Sequence, residues 1–508
     1  MQPPCLVPGI GGTAKSAVAM RNNITIPTSF FIFQALSLLI NNNSVFGMLQ
    51  QETVWSMILA MKHGYDTEDL IAALATPWGE SALAVIRTSG TGSIEKIASI
   101  FKGNKDLTSL PGYSLAYGML MDGNTAVDQV VLGIYRAPKS YTGEDMVELY
   151  CHGSLPGIEA VMELLYKTGF RAAQPGEFTL RSFLNGKVDL TKAEAVNELI
   201  LSKSRQAQGL ALDRLSGSIY DAIDRAKHLL ADILAAVEIQ LDYAEDEADP
   251  AAGFDMDKLD KAADMLSRLA ATYQVGKLYK EGIRIALAGR TNAGKSKLFN
   301  LFLKEDRSIV SDIKGTTRDY IESSVAVKGI PAVLIDTAGL RESSDPVEAE
   351  GIRRSNMVIE NADIILYLVD ASEGFSDEDK AFIKDHPCIP LWNKTDICTR
   401  PAPDGFVPIS AVTGAGFAEL ENLIFTKAMG NRKVDMAEAV IDSQRQKELI
   451  DRSLDAIGKV KIGMAAEMPL DVVAVDLEEA VNALGELTGE ITSADILENM
   501  FSRFCVGK

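Results

Sequence analysis

Ile283-Arg-Ile-Ala-Leu-Ala-Gly-Arg-Thr-Asn-Ala-Gly-Lys-Ser296 decides the fold of the centre of this chain. Ile283–Ala288 is β-branched and apolar, the pattern of a buried strand, and Lys297–Leu303 has helical spacing. Between them, Gly289-Arg-Thr-Asn-Ala-Gly-Lys-Ser296 is GxxxxGK[ST] with a strand before it and a helix after it. The glycines let backbone N–H groups wrap phosphates. Lys295 supplies a point charge for the β and γ groups, and the Ser296 hydroxyl suits Mg²⁺.

Outward from this loop, three further features fall in order at strand ends. Val333-Leu-Ile-Asp-Thr-Ala-Gly339 ends a strand in DxxG, with Asp336 placed for the Mg²⁺ shell and the Gly339 N–H for the γ-phosphate. Asn393-Lys-Thr-Asp396 follows the apolar run Ile389–Trp392. A carboxylate at Asp396 can accept from N1–H and N2–H₂ of guanine but finds no such pair on adenine. Ser410-Ala411 then offers a backbone N–H to the base oxygen. Gly315-Thr-Thr-Arg-Asp319 is a switch-type segment, with Thr317 as a second hydroxyl ligand for Mg²⁺. The expected GTP contacts are therefore Asn292, Ala293, Gly294, Lys295, Ser296, Lys297, Thr316 and Thr317, with Asp336 and Gly339 at the γ end. Asn393, Lys394, Asp396, Ser410 and Ala411 face the base. Lys295 and Thr317 are read as catalytic. Leu340 follows the DxxG turn, where a Ras-like GTPase carries a water-orienting Gln, so another group must orient the water. Glu342, Asp345, Glu348 and Glu350 are the acidic candidates, and the residues alone do not choose among them.

Around this α/β segment the pattern changes. From Thr191 to Tyr243 proline is absent, and Ile219, Ile223, Ala226, Leu230, Ile233 and Val237 form one helical stripe. Helical spacing returns after about Asp435, with Leu477, Val481 and Leu484 as one example. Two such blocks predict one helical domain with another inserted into it, or else two unrelated bundles. Upstream, Ala82–Thr88, Val130–Tyr135 and Met146–Tyr150 read as strands and Gly157–Thr168 as a helix, an α+β domain. The fold class is multidomain, α+β and α/β. At 508 residues the chain is long enough for about three domains.

Composition narrows the function classes. Fifty Lys+Arg against 70 Asp+Glu give a net charge of −20, which excludes a protein that coats nucleic acid through a general basic field. RNA contact would need a local patch or a basic partner. The five cysteines have no CxxC pair or metal-ligand spacing, so a reducing compartment without structural zinc is expected. Residues 1–60 carry no acid before Glu52. Their apolar run Ile24–Ile40 is too short and interrupted to span a membrane. A mis-assigned start, with Met61 as first residue, is the expectation for this stretch.

The chain from Asp66 to Lys508 resembles the MnmE (TrmE) family of tRNA-modification GTPases. The flanks carry the resemblance with the centre: Ala75-Thr-Pro77, Ile86-Arg87, Tyr141-Thr-Gly-Glu-Asp145 with His152-Gly153, Pro175-Gly-Glu-Phe178, Phe183-Leu-Asn185, and the ending Phe504-Cys-Val-Gly-Lys508. It implies a non-homologous extension at 1–61 and a folate-binding, dimerising domain at 62–187. Helical parts would lie at 188–280 and 432–508, around an inserted Ras-like P-loop G domain at 281–431. The implied activity is K⁺-stimulated GTP hydrolysis in a cytoplasmic homodimer. With the flavoprotein MnmG in a heterotetramer, the family adds aminomethyl or carboxymethylaminomethyl groups to C5 of the wobble uridine of certain tRNAs. The carbon comes from 5-formyl- or 5,10-methylene-tetrahydrofolate, and no membrane is involved.

By motif position, Asn292 matches a K⁺ ligand, with the backbone around Ser311, Ile313 and Thr316 completing the site. Glu348 matches the glutamate that orients the water. Arg87, Glu148, Lys187 and the terminal Lys508 match folate-contacting positions. Their cations suit glutamyl carboxylates, and the carboxylate suits the pterin N–H edge; the alternative for each is a surface ion pair. Cys505 matches a near-terminal cysteine, either chemical or a plain buried thiol. The chain departs from the family pattern at Thr291, Ser154, Trp78 and Val506. A GTP-dependent RNA- or ribosome-assembly switch is the rival from another class, but such a switch would carry a basic RNA-binding module. A folate-binding module with a merely structural G domain is the other rival.

Overall fold

The computed structural model describes residues 69–242, 254–305, 321–336, 357–430 and 438–508. The chain divides into two units, 1–59 and 60–508, and every described residue lies in the second.

Period-2 alternation builds the first sheet. In Ser114–Asp122, Ala116, Gly118 and Leu120 are buried while Leu115 and Tyr117 face out. Its strands are β1 (Ile71–Leu74), β2 (Ser81–Ser89), β3 (Phe101–Gly103), β4 (Ser114–Asp122), β5 (Thr125–Tyr135), β6 (Met146–Gly153) and β7 (Arg171–Ala172), in the order β3-β4-β5-β6-β2-β1-β7. All pairs are antiparallel except β1–β7. Helices α1 (Ser93–Ser99) and α2 (Leu155–Thr168) cover one face through Ile94, Ile97, Ile158, Val161 and Leu165. Ser154, one of the departures from the family pattern, caps α2 by accepting from the Gly157 N–H. Helix α3 (Glu177–Leu184) is buried along its whole length. The sequence missed β4 because its outward Leu115 and Tyr117 blur the apolar alternation.

Next come α4 (Leu190–Leu201), α5 (Arg205–Leu215), α6 (Ser218–Asp242), α7 (Met256–Ala271) and α8 (Tyr273–Glu281). The stripe Ile219, Ile223, Ala226, Leu230, Ile233 and Val237 on α6 is wholly buried. It shares one core with Leu259 and Leu266 of α7 and with Ile450, Ile457, Leu477 and Leu484 from far along the chain. Each buried Leu or Ile contributes about 2 kcal/mol to holding these blocks together.

Between the blocks lies a second sheet: β8 (Ile283–Gly289), β9 (Ile321–Val327), β10 (Ile330–Asp336), β11 (Ile364–Asp370), β12 (Ile389–Asn393) and β13 (Val407–Pro408). The order is β13-β12-β11-β8-β10-β9, and only the β9–β10 pair is antiparallel. Its described helices are α9 (Lys295–Glu305), α10 (Asp377–Asp385) and α11 (Phe417–Met429). The register places Gly289 beside Leu368, Asp336 beside Leu287 and Asp370 beside Asn393. The carboxyl ends of β8, β10, β11 and β12 therefore meet along one edge, where parallel sheets bind ligands.

The chain returns through α12 (Gln444–Ala465), α13 (Leu470–Thr488) and α14 (Ala494–Phe501). Beyond α14 the tail crosses to the first sheet. A Cβ at Gly507 (φ 91°) would lie 2.6 Å from Leu74 O, so only glycine fits there. Among the described residues, no helix is long and apolar enough to cross a membrane.

Candidate functional site

The loop after β8 is shaped by two glycines whose φ angles are 135° at Gly289 and 103° at Gly294. A Cβ on Gly289 would overlap Leu368 O of β11, and one on Gly294 would overlap Asn393 Nδ2. The motif's glycines are thus dictated by contact with neighbouring strands as well as by backbone freedom. Asn292, exposed at the tip, takes the left-handed conformation with φ 63°, which asparagine tolerates better than most residues. Lys295 is buried, and its Nζ donates to Gly289 O (2.8 Å) and Arg290 O (2.9 Å). The ammonium is thereby held across the loop mouth. Ser296 Oγ donates to Asp336 Oδ2 at 3.2 Å, so a hydroxyl from the first turn of α9 and a carboxylate from the end of β10 converge. An all-oxygen pair of this kind suits a hard cation such as Mg²⁺.

The base end is tied to the phosphate loop through Asn393. Its Nδ2 donates to Ala293 O (2.7 Å), and its Oδ1 accepts from the Ala411 N–H (3.0 Å). The Ala411 proton, expected at the base, is donated to this buried side chain in the structure. Ser410 Oγ donates to Asp396 Oδ1 (2.7 Å), steadying the exposed carboxylate expected to select guanine. Lys394, with φ 69°, places Nζ 2.6 Å from Asp370 Oδ2. Burial pushes Asp370 up, but hydrogen bonds from Lys394 and Ser372 outweigh it and leave the carboxyl below its ordinary value. Sequence reasoning passed over Asp370. The available signal was an acid closing the apolar run Ile364–Val369. Lys297 is exposed on the first turn of α9. Ser311, Ile313, Thr316, Thr317, Gly339 and Glu348 lie outside the described residues, as does the extension at 1–61.

A second group of charges gathers on the first sheet. Arg87 on β2 donates to Glu148 Oε1 on β6 from Nε (3.0 Å) and from a terminal nitrogen (2.8 Å). Its other terminal nitrogen donates to Gly507 O at 3.1 Å, across 420 residues of sequence. The guanidinium sits 5.5 Å from the Tyr141 ring centre and 5.7 Å from that of Phe178. Tyr150 (2.8 Å) and Tyr135 (3.2 Å) donate hydroxyls to Glu148 Oε2. Burial raises Glu148, yet Arg87 and these hydroxyls keep it below the usual carboxylate range. Burial and the Arg87 charge push the half-buried Lys508 down. The structure therefore brings Arg87, Glu148 and Lys508 together. Lys187 is exposed and donates to Pro138 O at 3.0 Å. Tyr135 and Tyr150 were missed by the sequence, although the i, i+2 spacing of Glu148 and Tyr150 on one strand puts them on the same face. The Cys505 thiol is exposed, so it is not a plain buried thiol.

The geometry can be set beside known proteins. Residues 190–505 match the family model described as the MnmE helical domain, and residues 70–187 match that of the GTP-binding protein TrmE N-terminus. The tRNA modification GTPase MnmE of Borrelia recurrentis is 43% identical over 466 residues, covering 88% of this chain and 100% of that protein. That of Borreliella afzelii is 41% identical over 87% of this chain and 99% of its own length. That of Carboxydothermus hydrogenoformans is 38% identical over 87% of this chain and 100% of its own. Among solved structures, Aquifex aeolicus Era bound to GDP·AlF4⁻ is 26% identical over 34% of this chain and 66% of that chain, with a TM-score of 0.24. With a helical-domain match over most of its length and whole-length relatives at this identity, the chain belongs to the MnmE family of tRNA modification GTPases.

Proposed function

We propose that this chain is a cytoplasmic, K⁺-stimulated GTPase. With the FAD-dependent partner MnmG it adds an aminomethyl or carboxymethylaminomethyl group to C5 of the wobble uridine of certain tRNAs. The carbon comes from a 5-formyl- or 5,10-methylene-tetrahydrofolate unit. The working form is a homodimer within a heterotetramer with MnmG. Its parts are an extension at 1–61, a folate domain at 62–187, a helical domain from 188–280 and 432–508, and a G domain at 281–431.

The observation that carries the GTPase half is the pairing of Ser296 with Asp336 beside a Lys295 ammonium held on two loop carbonyls. Lys295 binds the β- and γ-phosphate oxygens, and Ser296, Asp336 and Thr317 would hold Mg²⁺, which neutralises charge on those oxygens when bound. Asp396, steadied by Ser410, accepts from guanine. Leu340 offers no hydrogen bond, so Glu348 orients the attacking water. Asn292 at the loop tip, with Ser311, Ile313 and Thr316, would hold K⁺, which supplies fixed positive charge where other GTPases place an arginine. Glu348→Ala should leave GTP affinity within about twofold while hydrolysis falls on the order of 100-fold; unchanged turnover removes Glu348 from that role.

The folate half is supported by Arg87, Glu148 and Lys508 converging beside the Tyr141 and Phe178 rings. The partly exposed Tyr141 ring offers an edge to a pterin, the carboxylate accepts from its N–H edge, and the cations suit glutamyl carboxylates. Lys187 would act at the rim. The test is mass spectrometry of the tRNA wobble nucleoside after incubation with this chain, MnmG, GTP and labelled folate. A labelled C5 substituent supports the proposal, and an unmodified uridine with active MnmG overturns it.

A further inference from the structure

The described residues enclose a cavity of about 740 Å³ that neither site uses. Its walls come from α4, α5, α8, the start of α12 and the carboxyl-terminal segment 495–504, and its volume lies within the range of small-molecule pockets. Leu201, Leu210, Met500, Tyr279 and Phe504 give it apolar and aromatic walls.

Three withdrawn charges, Glu198, Arg214 and Asp442, form one side with the exposed Lys280 beside them. Arg214 bridges Glu198 and Asp442, and Lys280 Nζ meets Glu198 Oε1 (2.6 Å) and Asp442 Oδ1 (3.2 Å). Arg445 pairs with Glu194 at 2.9 Å. These acids are therefore matched within the wall. Lys203, Arg503 and Asp495, all exposed, have no ion pair among the described residues. Two cations against one acid leave the cavity locally positive on a chain of net charge −20. Asn197 Oδ1, buried in the wall, has no hydrogen-bond partner among the described residues, a group that a ligand would satisfy. Buried polar groups with aromatic walls and two mouth cations suit a nucleobase with flanking phosphates.

The cavity is also close to the Arg87–Glu148 pair. Phe504 and Lys508 are four residues apart, so their Cα atoms lie within about 14 Å. We propose that this cavity receives a single unstacked nucleotide of the RNA substrate, with its base between Tyr279 and Phe504 and its phosphates on Lys203 and Arg503. This rests on the reading of the chain as a tRNA-modifying protein and names where that protein holds its target.

The test uses the full chain with MnmG, GTP and an anticodon stem-loop RNA carrying 4-thiouridine at the wobble position. Photo-crosslinks on peptides containing Tyr279, Met500 or Phe504 are expected. In parallel, Arg503→Glu should weaken stem-loop binding about tenfold. Arg268→Glu, an exposed charge reversal on α7 away from the cavity, should change binding less than twofold. Crosslinks confined to other peptides, or equal effects of the two reversals, overturn the cavity assignment while leaving the activity intact. If unsubstituted tRNA is not modified at all, the functional reading fails and the cavity assignment falls with it.

Discussion

The nucleotide site and the Arg87–Glu148 pocket both bring charges together, yet they are assembled in opposite ways. The first is local. Gly289, Gly294, Lys295 and Ser296 lie within eight residues, and their strand–loop–helix context fixes where each group points. The second is distant. Arg87, Glu148 and Gly507 meet only because β2 pairs with β6 and the carboxyl tail threads onto β1. A site held by backbone geometry fails through steric change, whereas a site held by side-chain pairing fails through lost charge.

The largest expected effect follows from the steric side. Gly294→Ala places a Cβ against Asn393 Nδ2 at a φ of 103°, so GTP affinity should fall on the order of 100-fold. Formyl-tetrahydrofolate binding should hold. Titration calorimetry with both ligands checks this, and matched losses would erase the distinction between the sites.

On the pairing side, Arg87→Ala strands Glu148 and releases Gly507 O. Affinity for formyl-tetrahydrofolate should drop about tenfold, with GTP affinity unchanged. Arg87→Lys, which keeps the charge but loses the fork, should recover only part of it. Full recovery by lysine would show that charge alone holds this pocket.

The smallest effect concerns the junction where the chain enters and leaves the G domain. Lys280 precedes β8 and Asp442 follows the return, and both belong to the cluster with Arg214 and Glu198. Burial and the neighbouring Glu198 push Asp442 up to about 7. A carboxyl raised in the folded state binds more protons there than in the unfolded chain. Its stabilising effect is therefore full below the unfolded value and is lost as pH rises through about 7. Asp442→Asn removes that dependence, so its melting temperature relative to the parent should rise between pH 6 and pH 8, on the order of 1 kcal/mol of stability. A pH-independent difference would contradict the shifted carboxyl.

The same contrast explains what was legible in the sequence. The phosphate loop, the NKxD turn and the α6 stripe are periodic or short-range, and residue types alone place them on strand ends or a buried helix face. The meeting of Arg87, Glu148 and Lys508 was reached only through resemblance. Tyr135 escaped notice because its partner Glu148 lies on the neighbouring strand, and Tyr150, two residues from Glu148 on β6, because a tyrosine beside an acid has many ordinary uses. Asp370 escaped because an acid closing a strand has many ordinary uses, and only Lys394 at 2.6 Å gives it this one. Strand β4 hid behind its outward-facing Leu115 and Tyr117.

The central proposal is that a bound cation, at a loop whose tip is Asn292, stands where other GTPases place an arginine. The most direct test is the GTP hydrolysis rate of the full chain in KCl and in NaCl at equal ionic strength, across a range of protein concentrations. A gain on the order of tenfold or more, specific to K⁺ and abolished by Asn292→Ala, is the predicted result. Equal slow rates in both salts would contradict it and assign the missing group to a partner.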